Sequence, residues 1–231
     1  MLTHHRRQAG IAMVEFVIVA LPLLFLGFAI LEACRWYITR QVVSYALFEA
    51  VRAGSVEAAN REAIDRALER GLVPLLGDGA TDLTAGRDEV RRRLARRAET
   101  WGMAPLKLEI LSPIRADFDD FADPALRAGT GKGHRAINND YQQERAGEMA
   151  RRYRNGVGPQ SGNTLFGANT LAVRISYLHE PVLPGLRAVI RGLSAGTDPI
   201  DDYVGLAHRR GLVAIVRQIA MPMQSHAVEN E

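Results

Sequence analysis

The residue whose chemistry most needs an explanation is Glu15. It is the single ionisable side chain in the 21-residue apolar run Ile11–Leu31, where a carboxylate is costly unless it is paired or reaches water. Gly10 stands five positions before it. Cleavage after Gly10 would give Ile11 a free ammonium four residues from Glu15, close to one helical turn away. That amine, from the same helix or from an adjacent copy, would neutralise the acid. The competing arrangement is a Glu near a helix start that snorkels to the headgroups and sits at the positive end of the helix dipole.

The run that positions Glu15 has the length of a membrane span. As a helix, Ile11–Leu31 would be ~31 Å long, matching a hydrocarbon core. The ten residues ahead of it hold His4, His5, Arg6 and Arg7 and no acid. The positive-inside rule then keeps this leader in the cytoplasm and exports the chain beyond Leu31. Pro22 lies inside the span, where neighbouring helices can satisfy the carbonyl it frees.

The string Arg6-Arg7-Gln8-Ala9-Gly10, followed by Ile11-Ala12-Met13-Val14-Glu15-Phe16, resembles a class 3 signal of type IV prepilins. Such signals combine a short basic leader, a Gly before the scissile bond and a Glu five residues after it. The form R-R-x-x-G-x-A-M-V-E-F, running into an A-L-P-L-L-F stretch, looks most like TadE-type minor pilins, or pseudopilins, of the tight-adherence (Tad, or Flp) pilus assembly system. The resemblance implies that a prepilin peptidase cuts between Gly10 and Ile11, and that Glu15 supports processing and assembly. Phe16 stands where Flp-like signals carry an aromatic. Implied partners are other pilin and minor-pilin subunits and an inner-membrane assembly platform, with adhesion and biofilm formation as the outcome. The motif covers about 30 residues; the rest of the chain resembles the family in layout alone.

Other readings of this stretch compete. A cleaved secretory signal has a shorter apolar core than this one. Leu31-Glu32-Ala33-Cys34 resembles a lipoprotein box, with Glu32 where a small residue is required. An uncleaved anchor would make the chain a bitopic membrane protein with an exported binding domain, and this is the alternative from another class.

Composition bounds the remainder. The 231 residues, 47% of them hydrophobic, suffice for one exported domain beyond the anchor. A net charge of +3 is small, and an exported domain has no use for nucleic acid as a partner. Cys34 is the sole cysteine, so no internal disulfide forms. Beside the span, it reads as an interfacial packing residue.

Beyond Leu31 the helix is expected to continue to about Gly54, because Ile38, Val42, Val43, Ala46, Leu47, Ala50 and Val51 recur at three- and four-residue spacings. Trp36 and Tyr37 fall where an interfacial aromatic belt would place them, and a simple anchor explains them equally well. Asn60 is a candidate N-cap for a second helix marked by Ile64, Leu68 and Leu72 and ending near Pro74. Gly77-Asp78-Gly79 is a turn signal. A third helix, Arg87–Trp101, sets Val90, Leu94, Ala98 and Trp101 on one face. Its arginines, Arg87, Arg91, Arg92, Arg93, Arg96 and Arg97, either meet anionic lipid, polysaccharide or an acidic subunit, or form a solvated surface. Strands are expected at Leu106–Leu111, Thr170–Leu178 and Gly211–Met221, with a short amphipathic helix at Leu186–Leu193 and a polar tail after Pro222. Tyr141–Tyr153 is expected to be a short polar helix within Ala116–Gly167, the least regular part of the chain.

Other chemistry finds little support. Asp117, Asp119, Asp120 and Asp123 could ligate calcium, but an EF-hand count from Asp117 puts Ala122 and Ala128 where Gly and Glu are required, which favours a polar loop. Gly129-Thr130-Gly131-Lys132-Gly133 lacks both the first Gly of a phosphate loop, replaced by Leu126, and the Ser or Thr after Lys132. The histidines form no HExxH, and no G-x-S-x-G elbow occurs. The sequence calls for no enzyme, metal or cofactor.

The expected organisation is α+β and pilin-like: a leader at 1–10, a transmembrane helix at 11–31, an exported stem at 32–57, and an extracytoplasmic domain at 58–231 with a small antiparallel sheet laid on the stem. The expected placement is the inner membrane, single-pass with a cytoplasmic N-terminus, and incorporation into the pilus is compatible with it.

Overall fold

A computed structural model describes residues 9–79, 82–126, 134–183, 185–194 and 202–229. The Gly129–Gly133 loop considered above lies outside them. The architecture is α+β, as expected. The chain forms two compact units, residues 1–38 with 180–213, and residues 39–179 with 214–231.

In the first unit, helix α1 (Ala9–Val56) begins before the apolar run and passes through Pro22 without ending. Large apolar side chains from Met13 to Leu31 are exposed on every side of it. A helix apolar all round has to be covered by protein or by lipid. Among the described residues, α1 is the one helix long and apolar enough to cross a membrane. The unit is completed by α7 (Leu186–Ser194) and α8 (Asp202–Arg209), which pack on each other. Sequence patterning anticipated α7; α8, of eight residues, carries too short a period to be read.

In the second unit the surface of α1 changes character. Val43, Ala46, Leu47, Ala50 and Val51 are buried, as their spacing predicted, whereas Ile38, just before the unit begins, is exposed. Gly54 does not break the helix, which continues to Val56. A Cβ on Gly54 would lie 2.6 Å from Ile64 Cγ1 and 2.7 Å from Leu171 Cδ2, so its role is close approach. The reversal falls at Ala58 and Ala59, both with left-handed φ. The Ser55 carbonyl, orphaned at the helix end, accepts the N–H groups of Gln224 and Ser225.

Asn60 caps α2 (Arg61–Leu76) by accepting the Ala63 N–H at 3.1 Å. Pro74 does not end this helix: it lies in the last turn, where losing one N–H frees a single carbonyl. Helix α3 (Leu83–Trp101) starts four residues before the expected Arg87, because Asp82 caps it, and stops at Gly102, whose φ of 60° is left-handed. Val90 and Trp101 are buried; Leu94 and Ala98 are half-buried.

The three expected strands form one sheet. β3 (Thr170–His179) lies between β1 (Leu106–Ser112) and β4 (Val213–Pro222). β1 pairs antiparallel with β3, Leu108 opposite Ile175 and Ile110 opposite Val173. As the central strand, β3 is buried on both faces from Ile175 to His179, while β4 alternates. The core joins Val43, Leu47 and Val51 to Ile64, Leu68, Leu72, Leu171, Val173 and Ile175. Each fully buried aliphatic side chain there contributes about 1.5–3 kcal/mol.

Two expectations are corrected. Ala116–Gly167 holds more regular structure than expected: beside α5 (Gln142–Arg152), the short polar helix anticipated at Tyr141–Tyr153, it contains α4 (Arg115–Phe121), β2 (Ala136–Ile137) and α6 (Leu165–Ala168). The acid cluster therefore lies on a helix and its end rather than in a polar loop. The tail after Pro222 folds back to form β5 (Ala227–Val228) against β2, burying Met223 and Ala227.

Candidate functional site

Gly10, Ile11, Glu15 and Phe16 all lie in the first two turns of α1. Arg6 and Arg7 fall outside the described residues. The Ile11 amide nitrogen and Glu15 are four residues apart on one helix, the spacing at which groups share a face. Glu15 and Phe16 are exposed, Phe16 at 71%. Were the bond before Ile11 cut, an ammonium and a carboxylate would stand four residues apart on one helix face.

A second carboxylate in α1 was not singled out as a functional group in the sequence. Glu32 is buried, and its Oε2 accepts the backbone N–H of Val182 at 2.9 Å and of Leu183 at 3.3 Å. Arg35, one turn on, lies 3.4 Å from the same oxygen. The available signal was an acid directly after the span with Arg at i+3. Its main partner, 150 residues away, leaves no local trace. Cys34, beside it, is exposed, as are Trp36 and Tyr37.

The α3 arginines are engaged within the fold. Glu69 of α2 accepts from Arg87 at 3.0 Å and from Arg91 at 2.7 Å. Glu89 accepts from Arg92, Arg93 and Arg96 at 2.8–3.1 Å, and these bonds hold its carboxyl below the usual carboxylate range. Arg97 donates to the Tyr177 hydroxyl at 2.6 Å. A cationic stripe in the sequence is thus a mixed-charge network, and such networks do not present a strong anion-attracting field.

The four aspartates diverge in role. Asp117 accepts the Ile114 N–H and the Asn163 side-chain amide, each at 2.8 Å. Asp120 accepts the backbone N–H of Ser161 at 2.8 Å and of Gln160 at 3.1 Å. Asp119 pairs with Arg135. Asp123 takes the Asn138 amide at 2.8 Å, the Ala125 N–H at 2.9 Å and Arg145 at 2.9 Å, which together lower its pKa. These contacts pin remote loops. Among the described residues no group of three or more His, Cys, Asp or Glu gathers to hold a metal.

The comparisons bear on α1. No curated protein and no solved structure matches the chain. Residues 10–52 match the family model TadE, described as a TadE-like protein. The match opens at Gly10 and ends four residues short of the end of α1. Over residues 10–52, a segment that lies within α1, the chain is similar to TadE-like proteins.

Proposed function

We propose that the chain is a minor pilin or pseudopilin that takes part in assembling a Tad (Flp) type IVb pilus, and so supports adhesion and biofilm formation. The observation that carries this reading is where the family match falls. It opens at Gly10, the residue before the proposed scissile bond, and runs along a helix that is apolar and exposed before Leu31 and buries one face in a protein core after Thr39.

In this reading residues 1–10 are a cytoplasmic leader whose Arg6 and Arg7 hold the N-terminus inside. Residues 11–31 are parked in the inner membrane, 32–57 form the exported stem, and 58–231 the extracytoplasmic domain. A prepilin peptidase hydrolyses the Gly10–Ile11 bond. The new ammonium of Ile11, in its own or a neighbouring subunit, pairs with Glu15 and sets the register in which pilin helices pack on the assembly platform. The role is structural rather than enzymatic.

The deciding experiment is the N-terminal mass of the protein from native membranes, beside Gly10→Ala and Glu15→Ala variants. The expected result is a mature chain starting at Ile11 and a Gly10→Ala chain that keeps its leader. An intact N-terminus in cells with an active prepilin peptidase would overturn the pilin reading and leave a bitopic membrane protein. A start at Cys34 would make the chain a lipoprotein.

A further inference from the structure

Helix α7 carries an apolar face with no protein cover over much of its area. Leu186, Val189, Ile190 and Leu193 fall within about 100° of its circumference, with Arg187 and Arg191 on the polar side. Val189 is 56% exposed, Leu193 75%, and Val182, just ahead of the helix, 66%.

This segment is fixed at a definite height along α1. Glu32 accepts the N–H groups of Val182 and Leu183 and so anchors the turn that leads into α7. Val182 and Leu183 also line a groove of about 330 Å³ with Phe28, Leu31 and Arg35. Phe28 and Leu31 are themselves exposed residues of the apolar run. The apolar surface of α1 at Phe28 and Leu31 therefore reaches Val182 across this groove, whose polar members are Glu32 and Arg35.

We propose that residues 180–183 and helix α7 are a second membrane-contacting element, lying in the interface of the leaflet that α1 leaves. Val182, Val189 and Leu193 enter the boundary between acyl chains and headgroups, and the exposed Arg191 stands toward the phosphates, as an arginine flanking an interfacial helix does. Continuity with the apolar surface of α1 selects lipid as the occupant over a second protein. Arg187 pairs with Glu180 at 2.7 Å, so insertion of apolar area, rather than charge, supplies most of the attraction. The consequence is mechanical: the unit is held at two points, by α1 and by α7, which restricts its tilt at the membrane surface while the helix waits for assembly.

The proposal rests on α1 being a membrane span, and the test separates the two. In a Cys34→Ala background, the full chain carries single cysteines at Leu24, Ala188, Val189 or Leu193, labelled with a polarity-sensitive fluorophore. The chain is placed in nanodiscs of phosphatidylethanolamine and phosphatidylglycerol containing spin-labelled lipid. Deeply placed spin labels are expected to quench the Leu24 site. Shallow ones are expected to quench the Val189 and Leu193 sites, and to cause a smaller loss of fluorescence at Ala188, on the other side of α7. Quenching at Leu24, with Val189 and Leu193 quenched no more than Ala188, overturns the proposal and leaves the span intact. A blue shift at Val189 and Leu193 that lipid does not quench, and that grows with protein concentration, identifies a protein neighbour and also overturns it. An unquenched Leu24 overturns the span and the proposal together.

Discussion

The Arg135 guanidinium grips the Glu229 carboxylate through two parallel hydrogen bonds, Nε to Oε2 and Nη2 to Oε1, both 2.7 Å. Side-chain exposures of 27% and 19% leave both partners mostly out of water. The pair closes the C-terminal return, in which β5 lies on β2 and Met223 and Ala227 join the core. Asp119, on α4, accepts from the same guanidinium.

Arg135→Lys keeps the charge and loses the fork. One ammonium cannot reproduce two parallel bonds to Glu229 while also meeting Asp119. The expected loss is about 1–2 kcal/mol, the range for hydrogen bonds to charged groups in a partly solvated site. Urea denaturation of the detergent-solubilised chain measures it, and an unchanged midpoint would show that the tail is held by its apolar contacts alone.

The same pair sets an acid limit. Arg135 holds the Glu229 carboxyl below the usual range, and the Asn138 amide, the Ala125 N–H and Arg145 do so for Asp123. A carboxylate whose folded pKa is depressed contributes stability that is fully present above its unfolded value, about 4, and is lost as pH falls through the lower folded value. Melting temperature should therefore drop below about pH 4, and Glu229→Gln should flatten that drop while lowering stability at neutral pH. A variant with the same acid slope as the parent would assign the limit to other groups.

Local signals were legible where one residue acts on its own neighbours. Asn60 announces α2 because its side chain reaches the Ala63 N–H three residues on, and the stem stripe announces burial because helical spacing puts Val43, Leu47, Ala50 and Val51 on one face. The strands were legible from alternation. Order that depends on distant partners was not legible. Asp120 binds the backbone at Ser161, 41 residues away, and Asp117 binds Asn163, so a polar, aperiodic stretch folds without advertising it. Glu32 belongs to the same class: its meaning lies in the turn at Val182. The proposed processing site at Gly10 and Ile11 could be raised from sequence alone because a peptidase signal is contiguous, and the N-terminal mass is what tests it.

Two glycines in helices predict opposite signs. Gly→Ala in a helix interior ordinarily gains up to about 1 kcal/mol. Gly147 of α5 has open space where its Cβ would go, so Gly147→Ala should raise the melting temperature. At Gly71 of α2 the new Cβ would sit 2.5 Å from Ala46 Cα of α1, a backbone atom that cannot rotate away. The two helices must then separate, and overpacking of this kind costs about 1–3 kcal/mol. Gly71→Ala should be net destabilising, and a gain equal to that of Gly147→Ala would mean that α1 and α2 are not in close contact.

Tyr177 predicts an alkaline limit. Tyr177, near the C-terminal end of β3, is 2% exposed, and burial pushes the phenol above its ordinary range, with the Arg97 cation opposing more weakly. The folded state thus holds its proton more tightly than the unfolded chain does. The resulting stability is fully present below about pH 10 and is lost as pH rises through the higher folded value. Tyr177→Phe removes the titrating group and so should abolish this loss. It should also cost about 1 kcal/mol at neutral pH, because the Arg97 guanidinium loses its hydroxyl acceptor. The cost stays modest because Arg97 remains stacked over Trp101, 5.5 Å from the ring centroid. Melting curves of parent and variant, recorded from about pH 8 upward through the alkaline range, make the test. If both chains lose stability in parallel across that interval, Tyr177 is not the group that sets the limit, and the burial argument for it fails.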